Sequence, residues 1–500
     1  MKILTETYKN KISCVLSCYD RLIIYGTLPE ISYSQGMTTY MYQNNVKIFD
    51  YPRFAEPYKE IIKINAERIA KENDIEIEFI RKSGIRKESI IADKLEKRGN
   101  QPGIVHIISA METCNTYKPW HNKASGKTYL VPDQSKCLHY YFYFMDPQLG
   151  LGYVRVPTWC PFRLQVYING HNLLAAELKQ AGINYTMIDN AFDSIEDINK
   201  AQELSDNISI EKLHRKLDEF AWQFCPVYKE LKLRYHWNVM QAEYATDIVF
   251  KTQKDLQSIY SELIATAIHT VKPDNIATFL GHKLVPRYEG EMGNNYTVRI
   301  EGSRIKHTMG IASIKMYDKF SKILRIETTT NDISFFKHYR EVVHRDGTTS
   351  YQIAALKKNI YSLSFLKDNL KAANKRYLEF ISAFDNKEIG RARIEKIASS
   401  KSENNRNYKG FNLFNKDDVA ILLTIMRGEF NISGLRNKNL QKLLGFSGNK
   451  ISRLIKRLRV HGLIKKASDS YKYYITKAGK ETIIIAQKIK ELVLIPAYCY

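Results

Sequence analysis

The sequence predicts an α+β fold: an α/β multidomain body with mixed sheets, followed by a helical segment and a C-terminal module of three helices and a hairpin. Three observations predict it. The 500 residues are too many for one core, and 44% of them are hydrophobic, which suits several globular domains. Runs rich in β-branched and aromatic residues, such as CLHYYFYFMD and GLGYVRVPTW, alternate with amphipathic text such as PYKEIIKINAERIAKEND. A polar break near residue 400 then separates this body from a tail of periodic helical text.

In chain order, residues 1–100 read as an N-terminal α/β region, with CVLSCYDRLIIYGTLP as a strand pair and PYKEIIKINAERIAKEND as a helix. Residues 101–195 are a sheet-rich α/β region, built from GIVHIISAM, CLHYYFYFMD, GLGYVRVPTW and FRLQVYI. They end in NGHNLLAAELKQAGINYTMID, a helix closed by Gly182 and then a strand. Residues 196–285 read as a helical region, with a capping box at Ser209–Lys212. Residues 286–397 hold a β-hairpin, SIKMYDKFSKILRIETTTND, and a long helix to Phe384. Residues 398–414 read as a linker, and 415–500 as a nucleic-acid-binding domain.

Composition narrows the function. No run approaches eighteen apolar residues, so no membrane span is expected, and charges in the first ten residues argue against a signal peptide. The expected location is cytoplasmic. Seven cysteines at irregular spacing describe no disulfide framework, and Cys14 and Cys18 lack the second pair that a zinc knuckle needs. The balance of 76 Lys+Arg against 53 Asp+Glu leaves a net charge of +23, which attracts polyanions. Residues 386–500 carry 24 Lys+Arg and 9 Asp+Glu, so +15 of that charge is clustered there. DNA is the expected partner and RNA the alternative.

The tail is the most legible part. KDDVAILLTIMRGE and LRNKNLQKLLG read as helices, the second stopped by Gly445. In SGNKISRLIKRLRVHGL, Ile451, Leu454, Ile455 and Leu458 make a core stripe, while Lys450, Arg453, Lys456, Arg457 and Arg459 make the opposite face. HGLIKK and YKYYIT then form a wing. Three helices and a wing are a winged helix, and the tail HGLIKKASDSYKYYITKAGK resembles the MarR-like winged-helix regulators. That resemblance implies a third helix in the major groove and a wing on the backbone. The expected nucleic-acid contacts are Arg436, Lys450, Arg453, Lys456, Arg457, Arg459, Lys465 and Lys466. A homodimer formed through this module is the other use such a fold allows.

Two further resemblances concern the body. YDRLIIYGTLP, VHIISAME, WCPFRLQVYINGHNLLA, MIDNAF, QAEYATDIVF, the hairpin SIKMYDKFSKILRIETTTND and HGLIKK are similar to a widespread uncharacterised prokaryotic protein group, present in many copies as the products of a mobile genetic element are. The likeness spans almost the full length and brings no assigned activity. Locally, GSRIKHTMGIASIKMYDKFSKILRIE resembles the strand pair of plasmid rolling-circle replication initiators, in which the Tyr-x-Lys tyrosine attacks DNA. It implies a nucleophile at Tyr317. The His-hydrophobic-His metal motif common in that family does not occur here.

The residues of the hairpin fit that role. Side chains alternate along a strand, so Lys315, Tyr317 and Lys319 share a face, as do Arg325 and Glu327 on the second arm. Cations beside a phenol (pKa ~10) favour phenolate and can stabilise a pentavalent phosphorus. The same pattern also describes the wet side of an ordinary ribbon, with Arg325 or Lys315 paired to Glu327. For a divalent metal, Mg or Mn, the candidate ligands are Asp20, Asp189 and Glu327, an acidic triad like that of a DDE transposase. His236, Glu243 and Asp247, read as one helical face, are a weaker set. No P-loop, G-x-G-x-x-G or HExxH occurs. The expected function is DNA binding with strand cleavage or transfer, as a replication initiator, endonuclease or transposase. The alternative is a non-enzymatic regulator or structured-RNA-binding protein.

Overall fold

A computed structural model describes residues 4–81, 84–99, 101–285, 288, 292–299, 302–382, 397–412, 414–467 and 470–488. The chain is α+β with one large mixed sheet. Its strands are β1 (Ile12–Thr27), β2 (Ile77–Ile80), β3 (Gly103–Asn122), β4 (Lys127–Asp146), β5 (Gly150–Pro157) and β6 (Leu164–Asn169). After a separate small sheet of β7 (Tyr185–Ile188) and β8 (Ala191–Ile195) come β9 (His236–Phe250), β10 (Met292–Arg299), β11 (Gly302–Met309), β12 (Ala312–Lys319) and β13 (Ile323–Thr330), then a two-stranded sheet of β14 (Lys337–Val343) and β15 (Thr349–Ala355). The eleven-stranded order is β10-β11-β12-β13-β9-β1-β6-β5-β4-β3-β2. β2 is parallel to β3, while β3 to β6 and β10 to β12 pair antiparallel.

Two strands differ from the sequence reading. CVLSCYDRLIIYGTLP is one long strand, β1, and not a pair. It holds no Gly or Pro before Gly26 to make a turn, and Arg21 to Gly26 run in unbroken register with Asn169 to Leu164 of β6. HWNVMQAEYATDIVF is β9, inside a region expected to be helical. Its residues from Ala242 onward are all buried, so helical spacing could not be separated from a strand covered on both faces.

The chain divides into two compact units, each made of discontinuous segments. One comprises residues 17–244 and 329–368, the other 1–16, 245–328 and 369–500. In the first, β3 and β4 form a ribbon of twenty residues per arm, turned at Gly126 (φ +64°). Helix 210–224 lays Leu213, Leu217, Phe220 and Phe224 at helical spacing against the sheet, with Phe224 4.7 Å from Phe142 and Phe220 4.5 Å from Phe144. Ser209 caps it by accepting from the Lys212 amide.

In the second unit, β12 and β13 form the expected hairpin, reversed at Phe320 and Ser321 with φ of +55° and +57°. The C-terminal residues form helices 416–425, 428–433, 437–444 and 448–460, a hairpin of β18 (Ile464–Lys466) and β19 (Tyr473–Ile475), and helix 477–488. Leu435 and Tyr473 exchange backbone hydrogen bonds of 2.7 and 2.8 Å, adding a third strand segment to the hairpin. Ile421, Ile425, Leu440, Ile451, Ile455 and Leu458 are in the core. The polar stretch read as a linker also differs. It forms the hairpin of β16 (Lys401–Glu403) and β17 (Arg406–Tyr408), and its Phe411 joins that core. Isolated apolar residues such as Phe411 leave no period to read. No described helix is long and apolar enough to cross a membrane.

Candidate functional site

The hairpin face is built by three neighbouring strands. Arg304 of β11 stands opposite Tyr317 of β12, and Lys306 stands opposite Lys315. Directly opposed residues of an antiparallel pair share a face, so one surface carries Arg304, Lys306, Lys315 and Tyr317. The other carries the buried Ile305, Ile314 and Met316. Gly302 sets the approach of β11: its φ is +121°, and a Cβ there would lie 2.1 Å from Asp318 Oδ1.

Glu327 of β13 is the centre of this face. It is 2% exposed, accepts from the Tyr317 hydroxyl at 2.7 Å through Oε2, and accepts from the Lys315 ammonium through Oε1. The Tyr317 hydroxyl therefore donates its hydrogen bond to a buried carboxylate, which is placed to accept that proton. Arg304 supplies the complementary anomaly. Its Nε is buried and has no hydrogen-bond partner among the described residues, a costly state unless an acceptor arrives.

Other residues expected at this site have different work. Arg325 is 1% exposed, and its Nε and Nη2 each lie 2.6 Å from an oxygen of Asp247. It is a buried structural ion pair and not a phosphate contact, because β13 is buried along its whole length. Lys319 is half-buried, with its ammonium 5.2 Å from the Phe320 ring centre.

The metal candidates differ in setting. Asp189 is exposed in the β7–β8 turn at φ +53° and, among the described residues, belongs to no group of three His, Cys or acidic ligands that could hold an ion. Asp20 is buried and has Glu243 of β9 as its neighbour, with carboxylate oxygens within 4.8 Å. His171 Nδ1 lies 3.0 Å from Asp20 Oδ1, and Arg21 donates to Glu243 at 2.8 Å. Helix 170–180 reaches this place because its first residue is Gly170, where a Cβ would lie 2.0 Å from the Tyr19 carbonyl oxygen. Two carboxylates are hard oxygen donors that suit Mg or Mn and could hold such an ion, although Arg21 already occupies one oxygen of Glu243. His236 is exposed, and its odd spacing from Glu243 sets it on the opposite face of the strand.

The C-terminal cations divide as well. Arg457 is 7% exposed, bonded to both oxygens of Asp418 at 2.7 and 2.8 Å and stacked 3.9 Å above Phe411. It is a core residue and lies outside the accessible set. Burial raises the Asp418 carboxyl, and the hydrogen bonds from Arg457 and the Asn412 amide, with the Arg457 and Lys409 charges, together leave it below its ordinary value. Lys456 and Arg459 both pair with Glu403 of β16, and Lys450 pairs with Asp417 at 2.6 Å. Arg436, Arg453, Lys465 and Lys466 are exposed, with no ion-pair partner among the described residues.

Sequence reasoning missed Arg304, Asp247 as the partner of Arg325, and Glu243 as the neighbour of Asp20. Arg304 carried a signal, since it lies in the Gly-Ser-Arg segment. Asp247 and Glu243 were singled out under a helical period, which concealed their strand partners. No protein-family model, curated protein or solved structure matches this chain.

Proposed function

We propose that the chain is a nucleic-acid-binding protein of a mobile genetic element that breaks and rejoins DNA strands through Tyr317. The carrying observation is the orphaned guanidinium nitrogen of Arg304 on the strand position opposite Tyr317. A phosphodiester oxygen is the acceptor this nitrogen lacks, and it would bring phosphorus to the phenol. Glu327 takes the phenolic proton, Tyr317 Oη forms a bond to phosphorus, and the bond from phosphorus to one sugar oxygen breaks. That oxygen leaves with a proton from solvent, and Lys306 and Lys315 offset charge on the phosphoryl oxygens.

In this reading residues 415–488 act as a winged helix. Helices 416–425, 437–444 and 448–460 and the β18–β19 hairpin support it, and Arg436, Arg453, Lys465 and Lys466 make the contacts. The non-enzymatic alternative has its own support. Lys315 and Tyr317 already satisfy Glu327, as a purely structural cluster would.

Denaturing gels of the protein incubated with labelled single-stranded DNA and Mg²⁺ or Mn²⁺ test the reading. A covalent adduct in the wild type that Tyr317→Phe abolishes is the expected result. Cleavage that survives in Tyr317→Phe, or no adduct across varied sequences, sinks the tyrosine mechanism. The variant loses one hydrogen bond to a charged acceptor, a cost of about 1.5–3 kcal/mol, so circular dichroism distinguishes lost chemistry from lost fold.

A further inference from the structure

The geometry points to a second nucleic-acid site, a trough that holds an unpaired strand, formed by helix 210–224, the start of β9 and residues 359–361. Its argument is independent of Tyr317 and of the C-terminal helices. Two cavities of about 620 and 760 Å³ are both walled by helix 210–224 and share Asp218 and Tyr228. Either would admit a mononucleotide. Together they offer more length than a single nucleotide uses, which favours a strand over a free nucleotide.

The walls are aromatic and rigid. Tyr235 and Trp237 are buried, stacked at 5.7 Å, and Tyr235 Oη donates to the Phe162 carbonyl at 2.9 Å. Gly26 of β1 leaves room for the indole, since a Cβ there would lie 2.6 Å from the Trp237 ring. This floor lines the first cavity, where Tyr361 is 50% exposed; in the second cavity Trp222 is 60% exposed. Exposed aromatics serve as stacking platforms for bases, and they tolerate any sequence because every base has a π-face.

The charges favour a phosphate backbone once pairing is considered. Two acids of the trough are paired, Glu72 with Arg68 and Glu219 with Lys216, while Asp218 accepts from the neutral Trp237 Nε1 at 2.7 Å and keeps its charge. Arg215 and Arg234 are exposed, with no ion-pair partner among the described residues. Lys229 adds a cation 4.3 Å from the Trp222 ring. Free arginines beside open rings are the combination that binds a single strand. Asp218, whose carboxylate remains 58% exposed, can also accept from a base amino group.

Fluorescence anisotropy of labelled dT20 and rU20 on the full chain tests this, with a duplex of mixed sequence and a mononucleotide as comparisons. Trp222→Ala with Tyr361→Ala removes both platforms and should weaken single-strand binding by at least about ten-fold, leaving duplex binding unchanged. Arg215→Ala with Arg234→Ala should lower the salt slope of single-strand binding by roughly 1.4. The same oligomers are measured on Arg453→Ala with Lys465→Ala and Lys466→Ala. That background losing duplex binding while keeping single-strand binding supports two separate sites. Single-strand affinity unchanged by both trough variants overturns the inference and leaves the C-terminal reading standing. A mononucleotide bound as tightly as the oligomers overturns the strand in favour of a free nucleotide. The dT20 and rU20 arms show which sugar is preferred, and binding of neither by the wild type also overturns the inference.

Discussion

The β12–β13 hairpin and helix 448–460 look alike as text, each a run of cations spaced along one element, yet they use their charge differently. In the hairpin the cations turn inward. Arg325 is closed onto Asp247, and Lys315 joins Tyr317 on the buried Glu327. On the helix only Arg457 turns inward, to Asp418, while Lys450, Lys456 and Arg459 meet exposed acids and Arg453 meets none among the described residues. Net charge therefore overstates the charge available to a ligand, and burial of the acidic partner sorts the two kinds. Buried pairs are costly to break, whereas exposed pairs are weak and exchangeable.

Breaking an inward pair should produce the largest effect. Arg325→Met leaves the Asp247 carboxylate, 4% exposed, without its bidentate partner, and should destabilise by about 3–5 kcal/mol. Urea denaturation reads this directly. Adding Asp247→Leu should restore most of the loss, because the uncompensated buried charge is gone. Equal destabilisation by the single and double variants would show that Arg325 is held by packing alone.

The next effect is acid sensitivity of the C-terminal core. Burial raises the Asp418 carboxyl, and Arg457 with the Asn412 amide and Lys409 more than offsets it, so the folded pKa lies below the unfolded one. The pair's contribution is then fully present above the ordinary aspartate value of about 3.9 and is lost as pH falls through the lower folded value. Unfolding of residues 416–460, followed by hydrogen exchange, should accelerate in that window. Arg457→Met should remove this pH dependence while lowering stability at neutral pH.

Such pairs also explain what could be read from residues alone. The core stripe of helix 448–460 and the hairpin were legible because each is a local period, closed within twenty residues. The acid partners were not. Asp247 lies 78 residues before Arg325, and Glu403 lies 53 residues before Lys456 in text whose Ser and Asn suggested a connector. Likewise β9, buried from Ala242 onward, shows no polar alternation to reveal its strand period. The metal triad expected from Asp20, Asp189 and Glu327 failed on Asp189 because a strand-end aspartate is also a turn former, and the β7–β8 turn is where it stands.

Cations left unengaged should show a smaller, sequence-independent effect. Arg453→Ala should lower the slope of log affinity for duplex DNA against log salt by about 0.9, with Lys465→Ala and Lys466→Ala adding similar decrements. Arg457→Met, assayed where it is folded, should leave the slope unchanged. A slope that falls as much for Arg457 as for Arg453 would erase the distinction between inward and outward cations.

A gain of binding tests the boundary between the two classes. Glu403 of β16 holds Lys456 and faces Arg459 at 3.6 Å, so it occupies the place that a phosphate would take beside them. Neutralising it in Glu403→Gln frees two cations, and duplex affinity should rise while the salt slope steepens by at most about 1.8. The Lys456 ammonium pulls the Glu403 carboxyl below its ordinary value, so the acid stays charged at neutral pH and screens both cations under assay conditions. Glu403→Asp should retain most of the screening if charge is responsible. If Glu403→Gln weakens binding instead, the β16–β17 hairpin positions helix 448–460 through this pair, and Lys456 belongs with the structural cations.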